Sequence, residues 1–488
     1  MNCLCCFVPC RTVAHVALAC LAAGSSVWAH SASAAGFELP GNSATGLGRG
    51  MALTASVDDG TAVAHNPGLL SQQPGTRLTW SHQLVFSHET FTRAPSQVPQ
   101  KAVVGADNAT ALKPSANTAP LFPLGAFLAA SHQLTPNLTL AFAGYGPSAI
   151  GYKEFDVSGG QRYMLTKLEA LMAYASFAVA YGKKDVGGVG VTLQWAMMPK
   201  TDMSLVIDAT FVPTMSPYYA SNDVVATLKL SDMTAFSAIV GGWYRVTDHL
   251  DIAASGRVMP VNFEATGQLS LSNDTPGVGN NFTPTQLSVT GSTSTLKLKI
   301  APTASVGARW RGLSEGATET YDVEANIVWE GWSVLDDYKV ENTGTINLFS
   351  DKPPVPKVIT IGKRWRDTLS ARLGGTYWVT PAVGVSAGGY YEQGATPLNY
   401  SHLDFPSFDR VGTGLGVRYR GESVTANLSY AHVFQERRQV SEDYGKVSQQ
   451  RPLKPCPSNC EGYDNIPANA GLFETSYDML SLSLAYKF

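Results

Sequence analysis

The chain has 488 residues, of which 15% are charged and 10% aromatic, with 46 glycines and a formal charge of −3. That balance excludes a basic nucleic-acid groove, and so little charge with so much glycine fits alternating strands better than long amphipathic helices. Length alone is compatible with two or three soluble domains or with one large barrel.

The N-terminus carries Arg11, an apolar run from Val13 to Ala23 and then Ala32-Ser33-Ala34, which predicts a signal peptide over 1–34 cut before Ala35. A lipoprotein signal ending in Ala17-Leu18-Ala19-Cys20 is the rival, weakened by the short apolar core before Cys20. Elsewhere no apolar run approaches the roughly 20 residues a membrane helix needs, the longest being Leu171 to Tyr181. Five of the seven cysteines (Cys3, Cys5, Cys6, Cys10, Cys20) fall in the leader. Cys456 and Cys460 remain, and in an oxidising compartment they are expected to close a small disulfide loop.

Residues 36–75 do not alternate. Gly36, Gly41, Gly46, Gly48, Gly50, Gly60, Gly68 and Gly75, mixed with Ala, Ser and Thr, describe close backbone approaches and turns. The segment is too poor in large apolar residues to stand as a domain, so it must rest inside something else. Gly46-Leu47-Gly48-Arg49-Gly50 lacks the preceding strand and the lysine of a phosphate loop. Asn66-Pro67 forces an extended or turn conformation that ends the segment.

From Arg77 onward a period-two alternation predicts strands near 77–91, 121–133, 137–147, 171–182, 187–198, 233–246, 248–258, 295–310, 320–333, 366–379, 382–393, 409–421, 423–436 and 476–488. The stretch 171–182 is rich in Ala and reads equally as helix. In 322–330, Val323, Ala325, Ile327 and Trp329 oppose Asp322, Glu324, Asn326 and Glu330. The last strand sets Leu480, Leu482, Leu484, Tyr486 and Phe488 against Ser481, Ser483, Ala485 and Lys487. Long connections rich in Pro, Ser, Asn and Gly (92–120, 148–170, 199–232, 259–294, 334–365, 394–408 and 437–475) alternate with short turns. The expected fold is all-β, a transmembrane antiparallel β-barrel of about 14 strands plugged by an N-terminal hatch, with long extracellular loops and short periplasmic turns. A propeller would repeat every ~40–50 residues, and no such repeat is present.

Several motifs in order, Ala35-Gly36-Phe37-Glu38-Leu39, Ser43 to Gly50, Asp58-Asp59 and Asn66-Pro67-Gly68, closely resemble the N-terminal hatch of FadL-type outer-membrane transporters for long-chain fatty acids and related hydrophobic compounds. Gly144-Tyr145-Gly146-Pro147, Trp329 to Ser333, Trp365 to Thr368, Arg372 to Tyr377, Glu392-x-Gly394-x-x-Pro397 and Pro406-x-x-Asp409-Arg410 resemble the family's barrel motifs in the family's order. The resemblance implies a signal peptide over 1–34, a hatch over 35–75 and a barrel over 76–488, inserted in the bacterial outer membrane as a monomer. It implies passive uptake by loop capture, lumen binding, hatch movement and lateral exit at a kink carried by Gly144, Gly146 and Pro147. It also places Phe37 at the lumen pocket, where an ordinary packed residue is the other reading, and Glu392 at an acidic wall position grouped with the gate. Gly68 stands where the family's Asn-Pro-Ala has alanine, a change expected to loosen the hatch against the wall.

A carboxylate head group needs a cation, and Lys363, Arg366 and Arg372 lie near or within a strand whose alternation turns Arg366 and Arg372 inward. Each reads either as a ligand contact or as a wall salt bridge. The nine His are scattered without metal-ligand spacing, so no metal or cofactor is expected. Ser81-His82 and Ser131-His132 point to opposite faces of a strand, so no hydrolase dyad forms and the chain reads as a non-enzyme. Expected partners are a fatty acid or hydrocarbon and outer-membrane lipid. An aromatic or aliphatic hydrocarbon channel of the same family, and a surface adhesin or structural barrel, stand as alternatives.

Overall fold

In a computed structural model of the protein, the described residues are 42–95, 113–146, 151–208, 223–272, 287–314, 316, 318–348, 352, 354–450 and 467–488, with backbone only at 122–124, 208 and 348. The leader, Phe37, Pro147, Cys456 and Cys460 lie outside them.

Fourteen antiparallel strands form one closed wall. They are β1 (Thr76–Arg93), β2 (Leu121–Thr135), β3 (Leu138–Tyr145), β4 (Lys167–Lys183), β5 (Gly187–Asp208), β6 (Asp223–Thr247) and β7 (Leu250–Met259). They continue as β8 (Thr303–Leu313), β9 (Glu319–Glu330), β10 (Thr368–Trp378), β11 (Val383–Glu392), β12 (Arg410–Arg420), β13 (Val424–Gln435) and β14 (Gly471–Lys487). Each pairs with its sequence neighbours, and β14 closes on β1 from Arg77↔Lys487 to Arg93↔Gly471. Closure gives each of the fourteen strands a neighbour on both sides, which is the condition for a sheet to lie in hydrocarbon.

Alternation sets the two faces. In β14, Leu480, Leu482 and Leu484 are exposed outward while Ser481 and Ser483 are buried inward. Exposed aromatics gather near the short-turn rim (Trp80, Tyr181, Tyr244, Trp310, Tyr377, Tyr419, Tyr486), and a second set (Phe142, Trp195, Phe236, Trp329, Tyr391, Phe434) lies nearer the loop rim. These are the girdles expected at the two interfaces of a membrane barrel. The Ala-rich stretch with two readings is strand β4.

Two expectations need correction. The stretch 295–310 is two strands, Ser294–Ile300 and β8, broken at Pro302, which has no N–H to keep a ladder running. The connections 199–232, 259–294 and 334–365 are not simply loops. β5 and β6 run on past the bulges near Met198, and Val261–Ser272, Ser294–Ile300, Asp337–Asn342 and Val358–Gly362 join them in ladder order, extending one side of the wall on the loop side.

Residues 42–75 pack inside the cylinder. A short helix α1 (Ala44–Gly48) is capped by Ser43, whose Oγ accepts from the Gly46 N–H at 3.2 Å. It is followed by α2 (Ala62–His65) and a 3-10 turn over Pro67–Gln72. Two glycine seams let this backbone touch the wall backbone. In the first, Leu47–Gly50 lies on Gly374, Gly388, Gly414 and Gly416, and a Cβ on Gly50, whose φ is +58°, would stand 2.3 Å from the Gly389 nitrogen. In the second, Asn66–Ser71 lies on Gly182, Gly188, Gly190, Gly241 and Gly242.

Gly68 belongs to the second seam, and its effect is the reverse of the one expected from sequence. A Cβ there would meet Gly242 Cα at 2.8 Å, Gly241 O at 2.9 Å and Gly188 O at 3.0 Å, so glycine tightens this contact. Because every obstacle is backbone, Gly68→Ala is expected to cost about 1–3 kcal/mol and to lower the temperature at which the barrel loses its heat-modifiable gel mobility. Gly144→Ala, whose Cβ would meet nothing within 4 Å, is expected to leave that temperature unchanged.

Candidate functional site

The interior is polar beside the N-terminal segment and apolar above it. Arg49 is the main anchor of the segment to the wall. Its two terminal nitrogens donate to Asp322 Oδ1 and Oδ2 at 2.7 Å each, one also donates to Thr376 Oγ1 at 2.8 Å, and Glu324 lies 3.6 Å away. Glu324 in turn accepts from the Ala55 N–H at 2.8 Å. At the short-turn end, Arg418 donates to both oxygens of Asp58 at 2.7 and 2.6 Å. Burial alone would raise the Asp58 carboxyl, but Arg418 and Arg420 hold it below the usual carboxylate range.

Asn66 ties segment and wall together, its Nδ2 donating to Thr54 O at 2.8 Å and Gly242 O at 3.2 Å while its Oδ1 accepts from the Gly68 N–H at 3.1 Å. Pro67 follows at the first position of the 3-10 turn, where a missing N–H costs nothing.

Toward the loop rim the inward residues become large and apolar. Phe91, Phe127, Tyr145, Met172, Tyr174, Met198, Phe263, Trp332, Trp365, Phe408 and Phe473 belong to one buried cluster. Within it, Phe127, Tyr145 and Tyr174 make a row across β2, β3 and β4, with ring centroids 4.7 and 5.3 Å apart.

Directly above that row the wall is thin. β3 has 8 residues, between neighbours of 15 and 17. Its pairing stops at Phe127↔Tyr145 on one side and Tyr145↔Tyr174 on the other. Among the described residues, nothing pairs with 121–126 of β2 on the side facing β4, and the next partner of β4 is Tyr152–Glu154, opposite Lys167–Glu169. Gly146 borders this gap, and a Cβ on it would meet Met172 O at 3.0 Å. Gly144 lies below the gap, inside the paired ladder and opposite Leu128 and Ala175. On the outer face a hollow of about 780 Å³ adjoins the site, lined by Leu78, Trp80, Leu128, Phe142, Gly144 and Ala175 among others.

The loop side carries an apolar cleft of about 310 Å³ in the extended sheet, between Leu205, Ile207, Leu228, Leu269 and Leu271 on one flank and Val340, Ile346, Val355 and Ile359 on the other.

Of the three candidate head-group cations, Lys363 is fully buried, with Nζ 2.5 Å from Asp404 Oδ2 and 4.6 Å from the Tyr338 ring centre. Burial pushes its ammonium down and Asp404 partly restores it. His402 Nδ1 also lies 2.7 Å from Asp404 Oδ1, and against the rise that burial alone would cause, His402 and Lys363 hold the Asp404 carboxyl well below its usual range. Lys153 Nζ is likewise committed, to Glu89 at 2.9 Å and to Leu403 O at 3.2 Å. These bonds fasten the connections before β4, β10 and β12 to one another.

Arg366 does not face the lumen. It is exposed two residues before β10 begins, because the strand alternation starts only at Thr368. Arg372 does face inward, its Nε donating to Ser370 Oγ at 3.2 Å and its NH2 to Glu392 Oε2 at 3.3 Å. Glu392 also accepts from Arg410. Five strands separate Glu392 from β3, so it belongs to this wall ion cluster and not to the kink.

Sequence reading missed Arg49, Asp322, Glu324 and Asp404 as anchors. The signal for Asp322 and Glu324 was their place on the inward face of an outwardly apolar strand. Asp404→Ala would leave Lys363 as an unpaired buried charge, a loss of about 3–5 kcal/mol. The expected result is faster proteolysis of the loop side in intact cells, with Lys363→Met in the same chain recovering part of the resistance.

The description of the family model that matches residues 25–459 is "Outer membrane protein transport protein (OMPP1/FadL/TodX)". A comparison with curated proteins found no match. Among solved structures, a Pseudomonas aeruginosa FadL homologue aligns over 93% of this chain and 100% of its own, with 15% identity and a TM-score of 0.70. The toluene transporter TodX of P. putida aligns over 92% and 99% at 14% identity and a TM-score of 0.62, and TbuX of Ralstonia pickettii, also a toluene transporter, over 93% and 100% at 12% and 0.60. These likenesses give the fold. With the family model matched over most of the chain and the closed fourteen-strand wall in place, the protein belongs to the OMPP1/FadL/TodX family of bacterial outer-membrane transport proteins.

Proposed function

We propose that the chain is a passive, non-enzymatic channel that takes up long-chain fatty acids, acting as a monomer after removal of residues 1–34, with 35–75 as its hatch and 76–488 as its barrel. The observation that carries the reading is the gap that the described residues leave above β3, set beside a row of buried aromatics and above the segment packed inside the cylinder. An apolar ligand gains about 25 cal/mol for each Å² it takes out of water, so a greasy chamber that opens sideways is a better route for it than an aqueous pore. In this mechanism the loop-side cleft captures the ligand, the aromatic chamber holds it with Phe37 contributing from the hatch, and a small shift of the hatch frees the path. The ligand then leaves sideways through the wall above Tyr145, at the break that Gly146 borders. Cys456 and Cys460 close a disulfide in the last extracellular loop.

A neutral-hydrocarbon channel is the second reading. It is favoured by the commitment of Lys363 to Asp404, which leaves that cation nothing to offer an acid, and by toluene transporters among the structural neighbours. Uptake by cells lacking the gene decides between them. Loss of labelled fatty-acid uptake, restored by the gene, supports the first reading. Loss confined to toluene supports the second, and loss of neither removes both.

A further inference from the structure

The outer face of the wall carries an apolar furrow of about 1190 Å³ across β5 to β12, away from β2 to β4 and their gap. Two adjacent cross-strand rows make it. One runs in register from Val189 on β5 through Gly242 and Ala254 to Tyr391 on β11, the other from Gly187 through Tyr244, Ala308 and Ala325 to Gly389. The floor is low because Gly242, Ala254, Ala308, Ala325, Ala371 and Gly389 carry a Cβ at most, while Tyr244, Ile252, Leu373 and Tyr391 stand up around them. Seven inter-strand spacings of about 4.8 Å make the furrow roughly 34 Å long. Because barrel strands tilt by about 35–45°, it climbs from the short-turn girdle at Tyr244 to the loop-side girdle at Tyr391.

A furrow at this depth is filled by the hydrocarbon around it, and its lower end says which lipid supplies the chain. The two rows continue onto β4 as Tyr181, opposite Val189, and Lys183, opposite Gly187. Lys183 and Lys184 are exposed, and neither ammonium meets a carboxylate among the described residues, since Asp185 beside them accepts from Arg245 at 2.6 Å. Two unpaired cations at the rim, next to a girdle tyrosine and at the mouth of an apolar furrow, match a phosphate with acyl chains attached. At Gly242 the wall is one backbone thick. A Cβ on Gly68 would stand 2.8 Å from Gly242 Cα, so the N-terminal segment rests on the inner side of a residue that floors the furrow outside.

We propose that this furrow seats an anionic phospholipid, its phosphate on Lys183 and Lys184 and an acyl chain lying over Gly242 toward Ala308 and Ala325. The seat does not depend on what the channel carries. It makes a membrane lipid a part of the wall, and the seated chain braces the second glycine seam from outside.

The test titrates the purified full chain in detergent with dipalmitoylphosphatidylglycerol or with dipalmitoylglycerol, which has the same tails and no phosphate. Bound lipid is counted by native mass spectrometry and folding is checked by heat-modifiable gel mobility. The unsubstituted protein is expected to hold the phospholipid about tenfold more tightly, and Lys183→Gln with Lys184→Gln to bring that preference below about twofold. Ala308→Phe with Ala325→Phe is expected to weaken both lipids about tenfold, with Ala308→Leu serving where that pair does not fold. The phospholipid is also expected to raise the temperature at which the unsubstituted barrel loses its heat-modifiable mobility, and no rise overturns the brace. Phospholipid binding that none of these substitutions changes means that lipid coats the wall at random and overturns the seat. Loss in the Phe pair with the lysine pair indifferent overturns the phosphate contact and, with it, the phospholipid. A dimer that the Phe pair dissolves means that a second copy covers the furrow, which overturns the seat as well.

Discussion

Arg49→Ala is expected to turn a closed barrel into one that conducts ions. The guanidinium spans from the N-terminal segment to Asp322 and Thr376 and approaches Glu324, and all of these groups are buried. Removing it leaves Glu324 without its cation and Asp322 with Arg309 alone, which bonds it at 2.7 Å. Breaking a buried pair from one side costs about 3–5 kcal/mol. The first glycine seam cannot make up such a loss, because Leu47–Gly50 touches it only through close backbone packing. In planar bilayers the variant should show steady current where the parent is silent. Arg49→Gln combined with Glu324→Gln removes a charge from each side of the contact and is expected to recover part of the closed state. A silent Arg49→Ala channel would mean that the seams alone hold the segment.

Gly146→Val is expected to reduce uptake of hydrophobic ligand by about tenfold with the barrel still folded, whereas Gly144→Val should change it by less than about twofold. The two glycines stand two residues apart but differ in what surrounds them. Gly146 borders the break in the wall, and a side chain there runs into Met172 O of β4. Gly144 is registered with Leu128 and Ala175 below the break and points to open space outside. Fatty-acid uptake rates in cells carrying each variant at equal surface amounts measure the contrast. Equal losses from both, or from neither, would remove the gap as the exit.

The membrane wall was legible because one rule, alternation of apolar and polar residues, serves every strand. A lipid-facing row such as Leu480, Leu482 and Leu484 announces itself whatever lies behind it. The inner face was legible only as polar. Alternation says that Asp322 points inward, but nothing local says that its partner is Arg49, 273 residues away. Arg366 was misplaced because alternation was carried two residues beyond the true start of β10. Gly68 was misread for a related reason: the value of a glycine is what it lies against, and Gly188, Gly241 and Gly242 come from other strands. The extension of β5 and β6 went unseen because its alternating residues, Met203, Leu205 and Ile207, sit in a region whose Pro, Ser and Asn content reads as loop. At the gap, sequence supplied the glycines, and only the pairing of β2, β3 and β4 shows where, among the described residues, the ladder stops.

We propose that cargo passes through an aromatic chamber above the N-terminal segment and leaves sideways between β2 and β4. Anomalous scattering from crystals soaked with a fatty acid brominated at its tail tests this directly. Bromine density beside Phe127, Tyr145 and Tyr174, or in the break next to Gly146, is the expected result. Density confined to the short-turn side of the N-terminal segment, around Asp58 and Arg418, would mean that cargo runs straight through the barrel and would contradict lateral exit.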